Sequence, residues 1–347
     1  MVESLEVKEP LLSLQCALGE GCVWDSKTGR LYFVDIDNHR VYTYEPSSGT
    51  HGFETFEEPI TSLVLRREHS GLVATARYSY VLLTEQDLPF PPTSSTQPRK
   101  LRHLTQELDA EIVASTKRFN DGSCDPHGRY WAGIMGVPLE MKGALFVLDS
   151  LPNGHKLEDI AEGRAPKLAP RKMKDTIGIS NGMAWLPNSK MLHTDSKVRE
   201  ITMYDVSSDG TLSNPSLFYK ESGSPHGLIP DGCCQDAQGG IWSARFQGAK
   251  VTRINAATGK VDFEVRLPTC WNLTCCVWGG EHLEDLYVTS AHCDAEGDRP
   301  QSEMPHSGDL FVVRGLGKMF KPIDKPRYDG NTSILQFRLL RELGQGG

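Results

Sequence analysis

Hydrophobic and polar residues alternate with a period of two in several short runs of the chain. The alternation is clear at residues 40–44, 200–204 and 250–254. Successive side chains of a β-strand point to opposite faces of a sheet, so this period predicts strands. Turn-forming residues bound such runs, as at 25–29 and 236–240. No long amphipathic helical pattern competes, and the pattern therefore predicts an all-β protein.

A short motif recurs along the chain and divides it into similar units. Its four copies place an acidic or amide side chain before a glycine: Glu20-Gly21, Asn120-Asp121-Gly122, Asn181-Gly182 and Asp231-Gly232. Two further units, with the same order of strand, turn and strand, begin near residues 61 and 274. The six starts are roughly 40 to 60 residues apart, as in propeller blades. Six units of about four strands each predict a six-bladed β-propeller that fills one domain, 1–347, with its core at 11–340.

Two segments interrupt this rhythm. Residues 88–99 are rich in Pro and Ser, whereas residues 162–176 are basic and contain Pro without a strand pattern. We expect both to be surface insertions, with a lid or a partner contact as the alternative. Residues 11–16 are expected to complete the last blade beside residues 333–340 and so to close the ring.

Charge and composition narrow the classes of partner. The 347 residues carry a formal net charge of -8 and contain no basic run, so neither nucleic acid nor an anionic membrane is expected as a partner. The first ten residues lack the apolar core of a secretory signal, and no apolar stretch of about 18 residues exists. We therefore expect a cytoplasmic protein.

The number and spacing of the cysteines also indicate a cytoplasmic protein. There are nine, an odd number without regular spacing, and four of them form the adjacent pairs 233–234 and 275–276. Adjacent cysteines rarely bridge each other, and the C-x-x-C spacing of a zinc-thiolate site is absent. We expect reduced thiols packed in strands, as is usual in the cytosol.

The glycine motifs place oxygen atoms at matching positions of the predicted ring. The first strand of each blade lines the channel of a propeller, so Glu20, Asn181 and Asp231 are expected to face one another at one mouth. Such oxygen ligands suit Ca²⁺ or Mg²⁺ best, with Mn²⁺ and Zn²⁺ as alternatives. Asn120, from a fourth blade, either completes this shell or holds a ligand. The competing interpretation is that these are ordinary turn residues before glycine.

Other polar residues near the motifs are weaker candidates. Arg118 is expected to pair with an anionic or carbonyl oxygen of a ligand, unless it is a solvated arginine at a blade edge. Asp195 and Ser196 end a strand of the third motif unit, where they either orient a ligand or water or form a turn. His193 is expected to pack in its strand, and His226 to belong to a loop.

Two familiar catalytic motifs are missing from the sequence. There is no Walker-type phosphate loop and no G-x-S-x-G nucleophile motif, which argues against nucleotide hydrolysis and covalent serine catalysis. The remaining chemistry is a metal that polarises a carbonyl and a carboxylate that moves protons.

Taken in order, several segments resemble the SMP-30/gluconolactonase/LRE-like family, over residues 14–317. The segments are 19–24, 31–36, 118–122, 125–130, 179–183, 229–232 and 274–276. The resemblance implies a six-bladed propeller with one divalent metal, Ca²⁺, Zn²⁺, Mg²⁺ or Mn²⁺, in the channel mouth. It also implies metal-dependent hydrolysis of a small-molecule lactone, such as gluconolactone, by a monomer or weak dimer.

The resemblance further implies roles for individual residues. The metal ligands of the family fall on Glu20, Asn181 and Asp231. The catalytic proton donor or acceptor falls on Asp231, and the substrate-contacting arginine and asparagine fall on Arg118 and Asn120.

A substrate-binding glutamate of one family branch has no direct counterpart. Counting places Pro138 at that position, and Glu140, two residues further on, is the candidate contact. A larger or more apolar lactone than gluconolactone is therefore an alternative substrate. Two rival functions also stay open: a non-catalytic calcium-binding regulatory propeller, and a metal-dependent ester or organophosphate hydrolase.

Overall fold

The computed structural model of the protein describes residues 2–136, 141–151, 155–222, 228–295 and 299–329. Its strands pair into six sheets. The first strand is β1 (Glu3–Glu6), and the helices are short: α1 (Ala110–Ser115), α2 (Leu157–Ala161), α3 (Gly317–Phe320) and a 3-10 turn (Cys293–Ala295). No helix in the described ranges is long and apolar enough to cross a membrane. The predicted all-β class is confirmed.

The first three blades are built from strands that lie close together in the chain. Blade 1 contains β2 (Gly19–Asp25), β3 (Arg30–Asp35), β4 (Arg40–Glu45) and β5 (Thr50–Phe56). Blade 2 contains β6 (Ser62–Leu65), β7 (Leu72–Thr75), β8 (Tyr80–Leu83) and, after β9 (Ser95–Arg99), β10 (Arg102–His103). Blade 3 contains β11 (Thr116–Cys124), β12 (Tyr130–Gly136), β13 (Gly143–Leu148) and β14 (Arg171–Ile177).

The last three blades repeat this arrangement. Blade 4 contains β15 (Ser180–Leu186), β16 (Lys190–Asp195), β17 (Glu200–Val206) and β18 (Leu212–Lys220). Blade 5 contains β19 (Ile229–Gln235), β20 (Gly240–Phe246), β21 (Lys250–Asn255) and β22 (Val261–Arg266), and β1 pairs parallel to β22 at its outer edge. Blade 6 contains β23 (Asn272–Gly279), β24 (Asp285–Ala291) and β25 (Phe311–Val313).

The blades close into a ring. The innermost strands touch in the order β2, β6, β11, β15, β19 and β23, and β23 returns to β2. The N-terminal segment completes blade 6, because the Leu11 amide donates to the Leu310 carbonyl (2.7 Å) and Leu12 bridges Leu310. The expected six-bladed propeller and its closure by the N-terminal segment are confirmed. The partner expected for that segment, 333–340, lies outside the described residues.

Each of the two predicted insertions ends in a strand, so their description as strandless surface segments is wrong in part. Within 88–99, β9 pairs parallel to β5 and gives blade 1 a fifth strand. Within 162–176, most of β14 forms the outer strand of blade 3. Both strands lie at blade edges, where much of each strand is exposed. Such edge strands need no alternation of apolar and polar residues, so the sequence pattern misses them.

Apolar side chains fill the spaces between neighbouring blades. Six clusters of buried residues each combine side chains from two adjacent blades, as where Trp242 of blade 5 meets Trp278 of blade 6 edge-on at 5.3 Å. A blade therefore buries both of its faces, and the innermost strands β2 and β23 are buried along their whole length. This packing, rather than a single central core, holds the channel-lining strands in place.

All nine cysteines lie in the described ranges, and each is buried and outside any disulfide. Burial raises the pKa of thiols such as Cys124 and Cys233 well above the usual value. The expected packing in strands holds for six of them, whereas Cys16, Cys270 and Cys293 lie outside the strands. Buried thiols of this kind behave as small apolar residues.

Blades 3 and 4 approach so closely at Gly133 that a methyl group there would lie 1.7 Å from Ser180 Oγ. We expect Gly133→Ala to lower the free energy of unfolding by roughly 1–3 kcal/mol through overpacking, measured by urea denaturation. Adding Ser180→Gly removes the obstructing side chain, so the double variant should lose less than the sum of the single losses. Additive losses would contradict this account of the blade contact.

Candidate metal and substrate site

The glycine motifs fall at irregularities in the innermost strands. An extra residue interrupts the pairing between the first two strands of blades 1, 3, 4, 5 and 6, whereas blade 2 pairs without a break. The motifs that contain Glu20, Asn120, Asn181 and Asp231 coincide with four of these β-bulges. A bulge bends its strand and re-aims a side chain. The motifs are therefore strand features, and their interpretation as ordinary turns is wrong.

Glycine at these bulges lets neighbouring inner strands come together. A methyl group at Gly182 would lie 2.6 Å from the backbone oxygen of Asp231. The bulge that carries Asn181 therefore lies directly against the bulge that carries Asp231. A larger residue at Gly182 would push these two strands apart.

Two of the predicted ligands are buried acids that repel each other. Burial, followed by repulsion from Asp231, raises the pKa of Glu20 well above its usual value. Burial, followed by repulsion from Asp121, does the same for the pKa of Asp231. A backbone amide partly offsets each effect: Gly21 N–H donates to Glu20 (2.8 Å), and Gly232 N–H to Asp231 (3.0 Å). The structure thus brings Glu20 and Asp231 together, as expected from blades 1 and 5.

The third predicted ligand, Asn181, is buried with its amide held at one end. Its Nδ2 donates to Ser196 Oγ (3.0 Å), whereas its Oδ1 accepts no hydrogen bond from any described residue. An unpaired buried amide oxygen is costly and calls for a ligand. Within the described ranges no three His, Cys, Asp or Glu side chains group as a metal site. Two carboxylates plus an amide oxygen nevertheless fit a hard divalent cation.

Arg118 and Asn120 form a connected pair beside these acids. Arg118 Nη1 donates to Asn120 Oδ1 (2.6 Å) and to the Phe119 carbonyl (2.9 Å). Asn120 Nδ2 donates to the Ser180 carbonyl in blade 4 (2.9 Å). With both ends of its amide engaged, Asn120 holds Arg118 in place. Burial lowers the pKa of Arg118, and the negative charges of Asp37, Glu20 and Asp231 oppose that change.

Two charged residues of this site were not predicted from the sequence. Asp121 is buried next to Asn120, and its carboxylate raises the pKa of Asp231. Its position directly before glycine, like that of Asp231, was the available signal. Lys325 donates to the Cys22 carbonyl (3.3 Å), and its charge partly opposes the rise that burial causes in the pKa of Asp121. Lys325 stands outside the repeated units, so no repeat pattern marks it.

The weaker candidates have mostly structural roles. Asp195 accepts hydrogen bonds from the backbone amides of Gly178 (2.9 Å) and Ile179 (3.0 Å), as a connection between blades requires. His193 is buried against Ser180 Oγ (2.8 Å), and burial lowers the pKa of His193 to about 3, so it packs in its strand as predicted. Ser196, by contrast, contacts the site through Asn181.

Several sequence predictions lie outside the described residues. The substrate contact expected at Glu140 is one, and Pro138 and His226 are others. These stay predictions.

Comparison with known proteins identifies the family. Residues 18–292 match a family described as the SMP-30/Gluconolactonase/LRE-like region. The chain belongs to this family. The matched range contains Glu20, Arg118, Asn120, Asn181 and Asp231, and the family predicted from the sequence segments is confirmed.

Individual relatives of the SMP-30/gluconolactonase/LRE-like family extend over most of the chain. Regucalcin of Xenopus laevis is 31% identical over 317 residues, which cover 89% of this chain and 94% of that protein. YvrE of Bacillus subtilis (strain 168), provisionally named a sugar lactone lactonase, is 29% identical over 311 residues, which cover 89% of this chain and 95% of that protein. A solved structure of luciferin-regenerating enzyme has a TM-score of 0.77 at 26% identity and covers 93% of this chain and 99% of that one.

The raised pKa values of Glu20 and Asp231 predict that protons compete with a bound cation. Cations bind the deprotonated carboxylates, so affinity should weaken as the pH falls. Because both values are raised, we expect Ca²⁺ affinity measured by titration calorimetry to weaken, as the pH is lowered, before the pH reaches the ordinary carboxylate range near about 4. An affinity that stays constant down to about pH 4 would contradict the raised pKa values.

Proposed function

We propose that the protein hydrolyses a lactone, with one divalent cation held by Glu20, Asn181 and Asp231. The observation that carries the proposal is the buried Asn181 Oδ1, which has no hydrogen-bond partner among the described residues and lies in the blade next to Asp231. The buried carboxylates of Glu20 and Asp231 repel each other, and Asp231 also forms a hydrogen bond with the Asn181 side chain. A cation would satisfy the oxygen and neutralise the repulsion, and the family membership supports lactone chemistry.

In the proposed reaction Asp231 moves the proton. A cation at this site would polarise the lactone carbonyl and stabilise the negative charge that develops on its oxygen. Asp231 takes a proton from the attacking water as the water oxygen bonds to the carbonyl carbon. Asp231 then returns the proton to the ring oxygen as the carbon–oxygen bond of the ring breaks, which yields a hydroxy acid. A carboxylate that takes a proton from water and returns it to the ring oxygen serves as general base and then as general acid.

Arg118 and Asn120 orient the lactone in this proposal. Arg118 Nη1 makes both of the contacts described above, which leaves Nε and Nη2 without a partner in the described part of the chain. A guanidinium has five N–H donors, so those two nitrogens can donate to carbonyl or hydroxyl oxygens of a ligand. Donors fixed by Asn120 favour an oxygen-rich substrate, and we propose a sugar lactone, as the provisional name of YvrE also suggests.

A lactone panel tests the reaction class. Acid release from substrates ranging from gluconolactone to apolar γ-lactones is followed in weakly buffered indicator, after chelation and after adding back Ca²⁺, Mg²⁺, Mn²⁺ or Zn²⁺. We expect loss of turnover on chelation and recovery with at least one cation. Metal binding without turnover of any lactone would favour a regulatory propeller. Turnover of aryl esters or phosphotriesters alone would favour a different hydrolase.

The role of Asp231 predicts the effect of a single substitution. Asp231→Asn removes both a ligand charge and the proton carrier, so kcat/KM for the best lactone should fall by about 100-fold or more. Asp205→Asn is the matched control, because Asp205 lies in an ion pair with Lys190 at an outer position of blade 4. Near-normal turnover by a folded Asp231→Asn protein would contradict the assignment.

A further inference from the structure

Hydrogen bonds between blades end on the peptide that precedes each proposed metal ligand. In all three cases a buried side chain of the preceding blade donates to the carbonyl of the residue just before the ligand. The three bonds are Thr274 Oγ1 to Gly19 O (2.5 Å), Asn120 Nδ2 to Ser180 O (2.9 Å) and Ser196 Oγ to Pro230 O (2.6 Å). Each ligand-bearing bulge is thus tied to the neighbouring blade.

These bonds matter because the ligands stand at bulges. The carbonyl of residue i−1 belongs to the same rigid peptide plane as the amide nitrogen of residue i. The strand ladder keeps its register up to Glu20, Ser180 and Pro230 and resumes it three residues later, so the ladder supports the peptide plane of each ligand from one side only. A side chain that holds the carbonyl therefore fixes the direction in which the ligand side chain leaves the strand, and it also satisfies a buried acceptor.

Ser196 holds such a carbonyl and also contacts a proposed ligand directly. Its single hydroxyl proton goes to the Pro230 carbonyl, so the Ser196 oxygen must accept from the Asn181 amide. Only Nδ2 of Asn181 can donate, so Oδ1 must face away from Ser196, where it is buried and unpaired. One hydroxyl thus sets the orientation of the ligand in blade 4 and the peptide plane that leads to Asp231 in blade 5.

We propose that Ser196 and Thr274 are positioning residues of the metal site, with Ser196 coupling Asn181 to Asp231. This inference rests on the proposed function, because it concerns the same cation. Neither residue supplies a ligand, and both act through the geometry of residues that do. Partners that orient ligands in this way commonly strengthen metal binding by 10- to 100-fold.

The test of Ser196 uses Ca²⁺ and Mn²⁺ alone as probes of the full-length, chelator-treated protein. Titration calorimetry should give a Kd weaker by about 10- to 100-fold for Ser196→Ala. Ser196→Thr keeps the hydroxyl and should restore most of the affinity. Thermal unfolding of each metal-free variant shows whether it is folded.

Thr61→Val is the matched control. It removes a buried hydroxyl that bonds Thr75 Oγ1 (2.7 Å) in blade 2, which supplies no proposed ligand. Its Kd should equal that of the wild type even if its unfolding temperature falls. An equal loss of affinity in Thr61→Val and Ser196→Ala would show a general effect of destabilisation and overturn the positioning role.

Thr274→Val gives an independent test in blade 6. Valine keeps the shape and removes the bond to the Gly19 carbonyl, while the Thr289 hydroxyl also loses its Thr274 partner. We expect a weaker Kd than in the wild type, with a smaller change than for Ser196→Ala, because Thr274 holds a peptide plane and no ligand amide.

The outcomes separate this inference from the proposed function. A wild-type protein that binds neither Ca²⁺ nor Mn²⁺ would contradict the metal site itself. A wild-type protein that binds, with Ser196→Ala binding equally well, would leave the site standing and overturn only the role of Ser196. Loss of cation affinity in Ser196→Ala together with its recovery in Ser196→Thr would support both the metal site and the positioning role of Ser196.

Discussion

Closure of the ring brings buried carboxylates from different blades close to one another. Glu20, Asp121 and Asp231 come from three blades, and burial raises the pKa of each. Charges are expensive to remove from water unless they are paired. The blades tolerate this repulsion because the apolar clusters between them hold the inner strands in place. The cationic side chains and backbone amides around the site compensate the negative charge of these buried carboxylates.

The protein supplies part of the balance itself. Arg118 lies near Glu20 and Asp231, and Lys325 lies near Asp121. Backbone amides at the bulges add hydrogen bonds to all three carboxylates. One cation among the acids would meet the remaining demand and also bind the unpaired oxygen of Asn181.

The propeller and the positions of the proposed ligands can be predicted from the sequence, because the repeat is visible in it. The motifs at Glu20, Asn181 and Asp231 repeat at blade spacing. In the structure Glu20 interacts with Asp231, and the bulge that carries Asn181 lies against the bulge that carries Asp231. A repeat shows which positions are equivalent, but it does not show what each side chain contacts. Lys325 was missed because it lies outside the repeated units, although its charge acts on Asp121.

The edge strands and the direction of the hydrogen bonds could not be predicted from the sequence pattern, for a different reason. β9 and β14 satisfy backbone groups at exposed edges, so their side chains follow no alternation. Ser196 was a candidate for orienting a ligand or water. Its role toward Asn181 becomes clear only when the donor and acceptor at its hydroxyl are known, since these fix which end of the amide faces the site.

We propose that one divalent cation binds between Glu20, Asn181 and Asp231. Anomalous diffraction from crystals soaked in Mn²⁺ tests it most directly, because it locates the metal without reference to activity. The account predicts one strong peak within bonding distance of carboxylate oxygens of Glu20 and Asp231 and of Asn181 Oδ1. A peak elsewhere in the molecule, or none at a concentration that saturates binding, would contradict it.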